Sequence, residues 1–437
     1  MPLQDIITPL NRQRQEVDGE TLGELMASIE AHGLLHPIVV RPAEESGKYY
    51  LVAGGRRLAG ISNMAGLETP VRCAGGTYPA GFAPCLNLGD LSPLAAEEAE
   101  LEENIRRVDL TWQERAAATA RLSGLRRKKA EVAGGLPPTL KDLARETRGS
   151  SNSFAAEDTR REIILAEHLG KPEISKAATL ADAWKALKLE EQRADFAARA
   201  SAVGATHNAS VHSLIKGDCV EWLRTCPTGQ FDVILTDPPY GMGADSFGDA
   251  GGRLVGQTHS YTDTAQTWQD LIGVLSALWY RAAKEQAHLY LCCDIDGFHF
   301  ARDWLERVGW WVHRTPLINF KRDGSRVPWP QHGPQRKWEL VLYANKGKKP
   351  VTHIYSDVIE TKGDENYGHG AQKPVDLYLN LLKRSVRPGD SVLDCFGGTG
   401  TILPACHELM CKATYIEQDE VAFGIALQRL EKLEEAR

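Results

Sequence analysis

Leu22, Leu25, Met26 and Ile29 recur at i, i+3, i+4 and i+7, the spacing of one helix face, and Gly33 ends the run. Two short apolar runs follow, 38–41 and Tyr49–Ala53, separated by Glu44, Glu45, Ser46 and Gly47. They read as a strand pair whose second member runs into Gly54, Gly55, Arg56 and Arg57. Beyond Pro93 the chain turns helical and charged as far as Lys129, until Gly134, Gly135, Pro137 and Pro138 interrupt it. From Thr139 to about residue 199 the pattern is of short helices, one of them carrying Leu180, Ala183, Trp184 and Leu187 on a single face. The small, polar, aperiodic stretch 201–210 then reads as a linker between domains. After it, β-rich runs alternate with helical ones: Phe231–Thr236, 288–293, 339–344, Ser391–Asp394 and 414–417. Such alternation predicts a doubly wound α/β sheet that binds ligands at the carboxyl ends of its strands. No internal repeat and no low-complexity tract is present.

At 437 residues the chain exceeds what one hydrophobic core supports, so two or three domains are expected. Hydrophobic (42%) and charged (25%) contents are those of a globular protein, and a net charge of -7 excludes a uniformly basic nucleic-acid binder. Local basic clusters remain at 126–129 and 321–349, the second interleaved with Trp329, Trp338 and Tyr343. That mixture suits either a DNA-facing edge or a strand with solvated flanks. Nine cysteines form no CxxC pair or other zinc-ligand spacing, so they read as reduced thiols. With no leader-like N-terminus and no run near 20 apolar residues, a cytoplasmic location is expected.

The sharpest chemical signal is FDVILTDPPYG, where a strand delivers Asp237, Pro238, Pro239 and Tyr240 to its carboxyl end. The two prolines stop the strand and remove two amide donors. A carboxylate, free carbonyls and an aromatic ring are thereby left together. Those groups suit an amino group conjugated to a base ring: Asp237 and the Pro238 carbonyl accept from its N–H groups and aim its lone pair, while Tyr240 stacks on the ring. A base in a duplex must first be flipped out. A proline-terminated strand with an incidental acid would show the same four letters.

A second element is RPGDSVLDCFGGTGT, a strand ending at Asp394 followed by Phe396, Gly397, Gly398, Thr399, Gly400 and Thr401 before a helix. Such a turn admits a ligand to the backbone. Glu417 lies beyond Asp394 by about 20 residues, the distance at which an acid grips ribose hydroxyls in dinucleotide folds. Alone, the turn is equally a NAD site. In this order the two elements resemble the circularly permuted amino-methyltransferase family of DNA methyltransferases, from about Val211 to the C-terminus. HGAQKPVDLYL resembles the segment preceding the family's glycine loop, and IKGDCVEWL its start. The resemblance implies a Rossmann-like domain using S-adenosylmethionine. Gln372, Lys373 and Pro374 would then lie at the methionine end of the cofactor, and Asp218 near its adenine. Asp394, Phe396, Gly397, Gly398, Thr399, Gly400 and Thr401 would line the pocket, with Glu417 on the ribose. It also implies adenine N6 as target, cytosine N4 being the alternative, and double-stranded DNA as partner. RNA or protein substrates would suit the same chemistry. The glycine-rich residues after Tyr240, as far as Tyr261, are expected to form a lid.

In the N-terminal half, AGGRRLAG, with GLLHPIVVR before it and LEENIRRVDL after it, resembles the ParB-like N-terminal domain, a small α+β fold. There Arg56, Arg57, Asn104 and Arg107 would meet a nucleotide, usually CTP, and Glu103 its magnesium. Gly55 and His36 depart from the family's usual glutamate and glutamine, and a structural role for the arginines stays open. TLKDLARETRGS and the helix after it resemble a ParB-type helix-turn-helix region, with Leu140, Leu143 and Ala144 inward. The expected layout is therefore a ParB-like domain over 1–125, a helical DNA-binding region over 138–200 and a methyltransferase domain over 211–437. A restriction-modification setting and a homodimer are compatible with it, as is a ParB-like regulatory protein with a vestigial methyltransferase half.

Overall fold

The computed structural model describes residues 1–8, 19–73, 75–89, 98, 101, 105, 110–209, 211–240, 265–322, 337–363 and 372–435. It divides into two compact units, Met1–Lys188 and Leu189–Arg437.

The first unit opens on a small sheet in the order β1 (Ile6–Ile7), β3 (Tyr49–Ala53), β2 (Ile38–Pro42), β6 (Cys85–Asn87), with β4 (Val71–Cys73) and β5 (Gly76–Tyr78) forming a separate hairpin. The predicted strand pair is β2 and β3, antiparallel, with Val40 opposite Leu51. The predicted first helix is Gly19–His32, and Ile29 packs with Ile38, Val40, Leu51 and Ile61 in the core of this sheet. Further helices follow at Trp112–Val132, Leu140–Arg148, Ser153–Ala166 and Pro172–Ser175. Thr111 with Glu114, and Thr139 with Asp142, form reciprocal capping boxes that start two of them. Gly149, at φ +69, ends Leu140–Arg148, and Asn152 caps Ser153–Ala166, so two helices joined by a short turn occupy the stretch that resembles a helix-turn-helix region. Leu143 and Ala144 are buried as expected, but Leu140, the first residue of its helix, is 36% exposed.

The second unit is built on a ten-stranded sheet. Its strands are β7 (Thr206–Ala209), β8 (His212–Lys216), β9 (Phe231–Thr236), β10 (Ala283–Cys293), β11 (Trp311–Val312), β12 (Leu317–Lys321), β13 (Trp338–Lys346), β14 (Val358–Thr361), β15 (Ser391–Asp394) and β16 (Lys412–Glu417). The order is β14-β12-β13-β10-β9-β15-β16-β8-β7, with β11 beside β13. All five β-rich runs read from the sequence are strands here. From β10 to β8 neighbours are parallel, whereas β13 is antiparallel to both β10 and β12. The central strands β9 and β15 are buried on both faces between two apolar layers, which is why they read as continuous apolar runs.

The stretch read as a linker is not one. The helix Leu180–Ala202 runs into it, and Thr206–Ala209 pairs antiparallel with β8 as the sheet's edge. Its small polar residues give no hydrophobic alternation, so the strand was invisible to pattern. Phe196 is buried on that helix, and a Cβ on Gly424 would fall 2.1 Å from the Phe196 carbonyl oxygen.

Candidate functional site

Strands β9 and β15 pair in parallel, Val233 opposite Val392 and Ile234 opposite Leu393, so both end at the same edge. On its other side β9 meets β10, and β15 meets β16. This is the switch point at which α/β sheets open a crevice.

At the end of β9, the Tyr240 hydroxyl donates to Asp237 Oδ1 at 2.7 Å. Lys373 Nζ donates to the Tyr240 oxygen at 2.8 Å and lies 3.0 Å from Asp237 Oδ2. The same ammonium is 3.6 Å from Glu339 Oε2 and 5.0 Å from the centre of the Tyr240 ring. Burial alone would lower the Lys373 pKa, but the Asp237 and Glu339 carboxylates outweigh it and hold the amine charged. Tyr240 is pushed well above the usual phenol range by burial, and the Asp237 charge adds to this. Pro238 is buried beside them, and Pro374 starts the helix Val375–Lys383 immediately after Lys373.

At the end of β15, Asp394 is fully buried. The Phe396 amide donates to its Oδ1 at 3.2 Å, while Oδ2 has no hydrogen-bond partner. Burial pushes this carboxyl up to about 8, against the Phe396 amide and with the Asp237 charge adding to the rise. In the glycine turn that follows, the Gly397 amide donates to the Ile416 carbonyl at 3.0 Å. Gly400, at φ +79, has no room for a Cβ, which would stand 2.8 Å from Ala426 Cβ. Gly398, at φ +51, faces open space, and its amide donates to Glu417 Oε2 at 2.9 Å. The Asp419 amide holds the other oxygen at 2.8 Å, and burial raises the Glu417 pKa. The Gly217 amide donates to the Glu417 carbonyl at 2.9 Å. That places Asp218 beside the same corner, where it caps the helix Cys219–Thr225.

Asp237, Tyr240, Lys373, Asp394, Gly398 and Glu417 thus share one edge of the sheet. Two residues expected in the pocket are turned elsewhere. The Thr399 carbonyl and hydroxyl face buried Arg429, at 3.1 and 3.5 Å. The Thr401 hydroxyl donates to the Lys373 carbonyl at 3.1 Å, tying residues 372–374 to the glycine turn. Phe396 packs on the apolar layer around Trp279.

Sequence reasoning missed Glu339. In the sequence it is only a lone carboxylate near the start of the apolar run WELVLYANK, which does not say where that strand lies. Because β13 is antiparallel, with Leu340 opposite Cys293 at the end of β10, its first residues arrive at the carboxyl edge. Of the cations described in the expected DNA-facing edge over 321–349, Arg322 and Lys348 are exposed and three others are engaged within the fold. Lys346 is buried and donates to the Tyr280 and Ala283 carbonyls, Lys349 donates to the Asp232 carbonyl, and Lys321 pairs with Glu339. Likewise, in 126–129, Arg126 and Lys129 pair with Glu98. The expected lid at 241–261 and the whole stretch 323–336 lie outside the described residues.

In the first unit, Arg57 donates to the carbonyls of His36 at 2.9 Å and Pro37 at 2.8 Å, so it braces the loop before β2. Glu103, Asn104 and Arg107 lie outside the described residues. Among those described, no group of His, Cys, Asp or Glu could hold a metal ion, and no helix is long and apolar enough to cross a membrane.

Comparison with known proteins adds two family matches, the DNA methylase family over residues 231–428 and the ParB N-terminal domain over residues 1–76. The chain is 24% identical over 262 residues to the type II methyltransferase M.HinfI of Haemophilus influenzae, covering 52% of this chain and 70% of that one. It is 23% identical over 252 residues to the type II methyltransferase M.HpaI of Haemophilus parainfluenzae, covering 50% and 74%. A solved complex, M1.HpyAVI with SAM, is 22% identical at a TM-score of 0.39, covering 50% of this chain and all of that one.

Proposed function

We propose that the chain, whose residues 231–428 match the DNA methylase family and residues 1–76 the ParB N-terminal domain, methylates an exocyclic amino group of a base in double-stranded DNA, adenine N6 first, with S-adenosylmethionine as methyl donor. The observation that carries this reading is the joining of Asp237, Tyr240 and Lys373 beside the glycine turn at the switch point.

The residues at that turn suit S-adenosylmethionine. Asp394 Oδ2 is a buried acceptor without a partner, fit for a cationic group, and Gly398 opens onto space beside the Glu417 carboxylate. When bound, this molecule supplies the methyl group as an electrophile on a sulfonium sulfur. The chain's own residues do the rest. Asp237 and the Pro238 carbonyl accept from the two N–H groups of the base, which turns the nitrogen lone pair outward, and Tyr240 lies against the ring. The nitrogen must shed a proton as it gains the methyl group, and Asp237 is the carboxylate beside it. Lys373 holds that carboxylate in place through an ion pair at 3.0 Å. Adenine is placed before cytosine because aspartate opens the motif, which in the family this sequence resembles mostly accompanies adenine.

The test is to express the protein in a host without DNA methylation and map modified bases by single-molecule sequencing. N6-methyladenine in a recurring sequence context is expected. N4-methylcytosine would move the target, and unmodified DNA would refute the reading.

A further inference from the structure

We infer that Glu339 is a positioning residue for Asp237, acting through the Lys373 ammonium that the two carboxylates share. The inference rests on the function proposed above.

Lys373 has three N–H donors. One goes to the Tyr240 oxygen at 2.8 Å and one to Asp237 Oδ2 at 3.0 Å. Glu339 Oε2 stands on the same ammonium at 3.6 Å, too long for a hydrogen bond and close enough for a strong charge contact. The three side chains are 9%, 15% and 18% exposed, so water screens them weakly.

In this arrangement both Asp237 oxygens already accept hydrogen bonds, from Tyr240 and from Lys373. A base amino group must therefore share or displace the ammonium. With Asp237 as its sole partner, a displaced Lys373 would be a buried charge left unpaired, which is costly. Glu339 removes that obstacle by offering a second carboxylate on the far side of the ammonium. Lys373 leans toward Glu339 as the amino group takes over its place on Asp237. Lys321 pairs with Glu339 from β12 and fixes the place of the second carboxylate. The other titratable groups facing this cluster are Tyr240 on its own loop, Cys292 on β10, Asp394 on β15 and Tyr378 on the helix after Pro374.

The arrangement predicts opposite effects of removing the cation and removing the distal carboxylate. Methyl incorporation into unmethylated plasmid DNA would be followed from low to neutral pH for the full-length wild type, Glu339→Gln, Lys373→Met and the double variant, with melting temperatures for each. Lys373→Met leaves two carboxylates without their cation, so the acid limb of kcat moves up by about one pH unit or more. Glu339→Gln ties the ammonium to Asp237 alone. The limb then moves down, and plateau kcat falls about tenfold to a hundredfold as the acceptor is misplaced. In the double variant the limb returns toward the wild-type position. A loss that was merely structural would lower the plateau and the melting temperature with no movement of the limb.

Glu339→Gln is nearly isosteric and carries the test even if Lys373→Met does not fold. An unmoved limb in Glu339→Gln, with an active wild type, overturns this inference and leaves the proposed function standing. A wild type that incorporates no methyl group overturns both.

Discussion

Gly397 and Gly398 are neighbours with opposite roles, and alanine at each should tell the two roles apart. A Cβ on Gly397 would lie 2.1 Å from Tyr415 Cδ2 and Cε2, where carbon atoms ordinarily meet at about 3.5 Å or more. The ring would have to retreat by about 1.4 Å. Tyr415 is fully buried, and its hydroxyl donates to the Gly398 carbonyl at 2.5 Å, so little room exists for retreat. Overpacking of this kind costs about 1–3 kcal/mol, and the strained hydrogen bond about 1 kcal/mol more. For a unit of this size the sum corresponds to a fall in Tm of about 4–16 °C. A Cβ on Gly398 meets nothing within 4 Å, and only the left-handed backbone at φ +51 is strained, at about 1 kcal/mol. Its Tm should fall by about 2–4 °C. Gly398→Leu should change Tm no further but weaken S-adenosylmethionine binding, because its side chain occupies the space beside Glu417. Thermal denaturation and calorimetric titration measure both. Equal falls in Tm for the two alanine variants would refute the packing argument, and unchanged cofactor affinity in Gly398→Leu would refute the placing of the ligand.

Three further outcomes are expected. Asp394 has its pKa raised to about 8 in the folded chain, against about 4 when unfolded, so the folded state holds the extra proton between those values. Stability should therefore be greatest below pH 4 as far as this group is concerned and decline up to about pH 8, Asp394→Asn should flatten the decline in a denaturation series, and affinity for a cationic cofactor should rise with pH over the same window. Arg148→Ala leaves Glu162, whose pKa burial already raises, without the guanidinium 2.6 Å away, and should cost about 3 kcal/mol or more in urea denaturation. Glu162→Leu should cost less, since Arg148 also reaches Asp158 at 3.4 Å. A version starting at Leu189 should keep cofactor binding and lose DNA affinity, its slope of log affinity against log salt being shallower by about 0.9 for each phosphate contact removed. Equal slopes in the two proteins would exclude DNA binding by the first unit.

The elements legible in the sequence were those whose burial leaves a period. The apolar runs of β9, β10 and β15 and the capped helices at Thr111 and Thr139 needed only spacing and end signals. The edge strand β7 was not legible, because its alternation is carried by threonine, histidine, asparagine and alanine. At the site, Asp237 and Tyr240 were legible from the prolines that end their strand, Asp394 from the glycine turn that follows it, and Glu417 from its spacing to Asp394. Glu339 was not, because its place depends on β13 running antiparallel, which no local pattern encodes. Thr399 was misplaced for a related reason: its partner Arg429 lies 30 residues away on the last helix. Arg57 was legible as a cation in a glycine-rich turn, but its engagement with two backbone carbonyls depends on the path of the loop before β2.

The central claim is that the Asp237 end of β9 transfers methyl groups to a base amino nitrogen. The most direct test is nucleoside mass spectrometry of unmethylated DNA incubated with S-adenosylmethionine and either the wild type or Asp237→Ala. Removing an oriented acceptor at the reacting centre costs about a hundredfold or more in rate. The wild type should produce N6-methyladenine, and Asp237→Ala almost none, while the two proteins bind cofactor with similar affinity. Methylation at cytosine C5, or undiminished turnover by Asp237→Ala, would contradict the account.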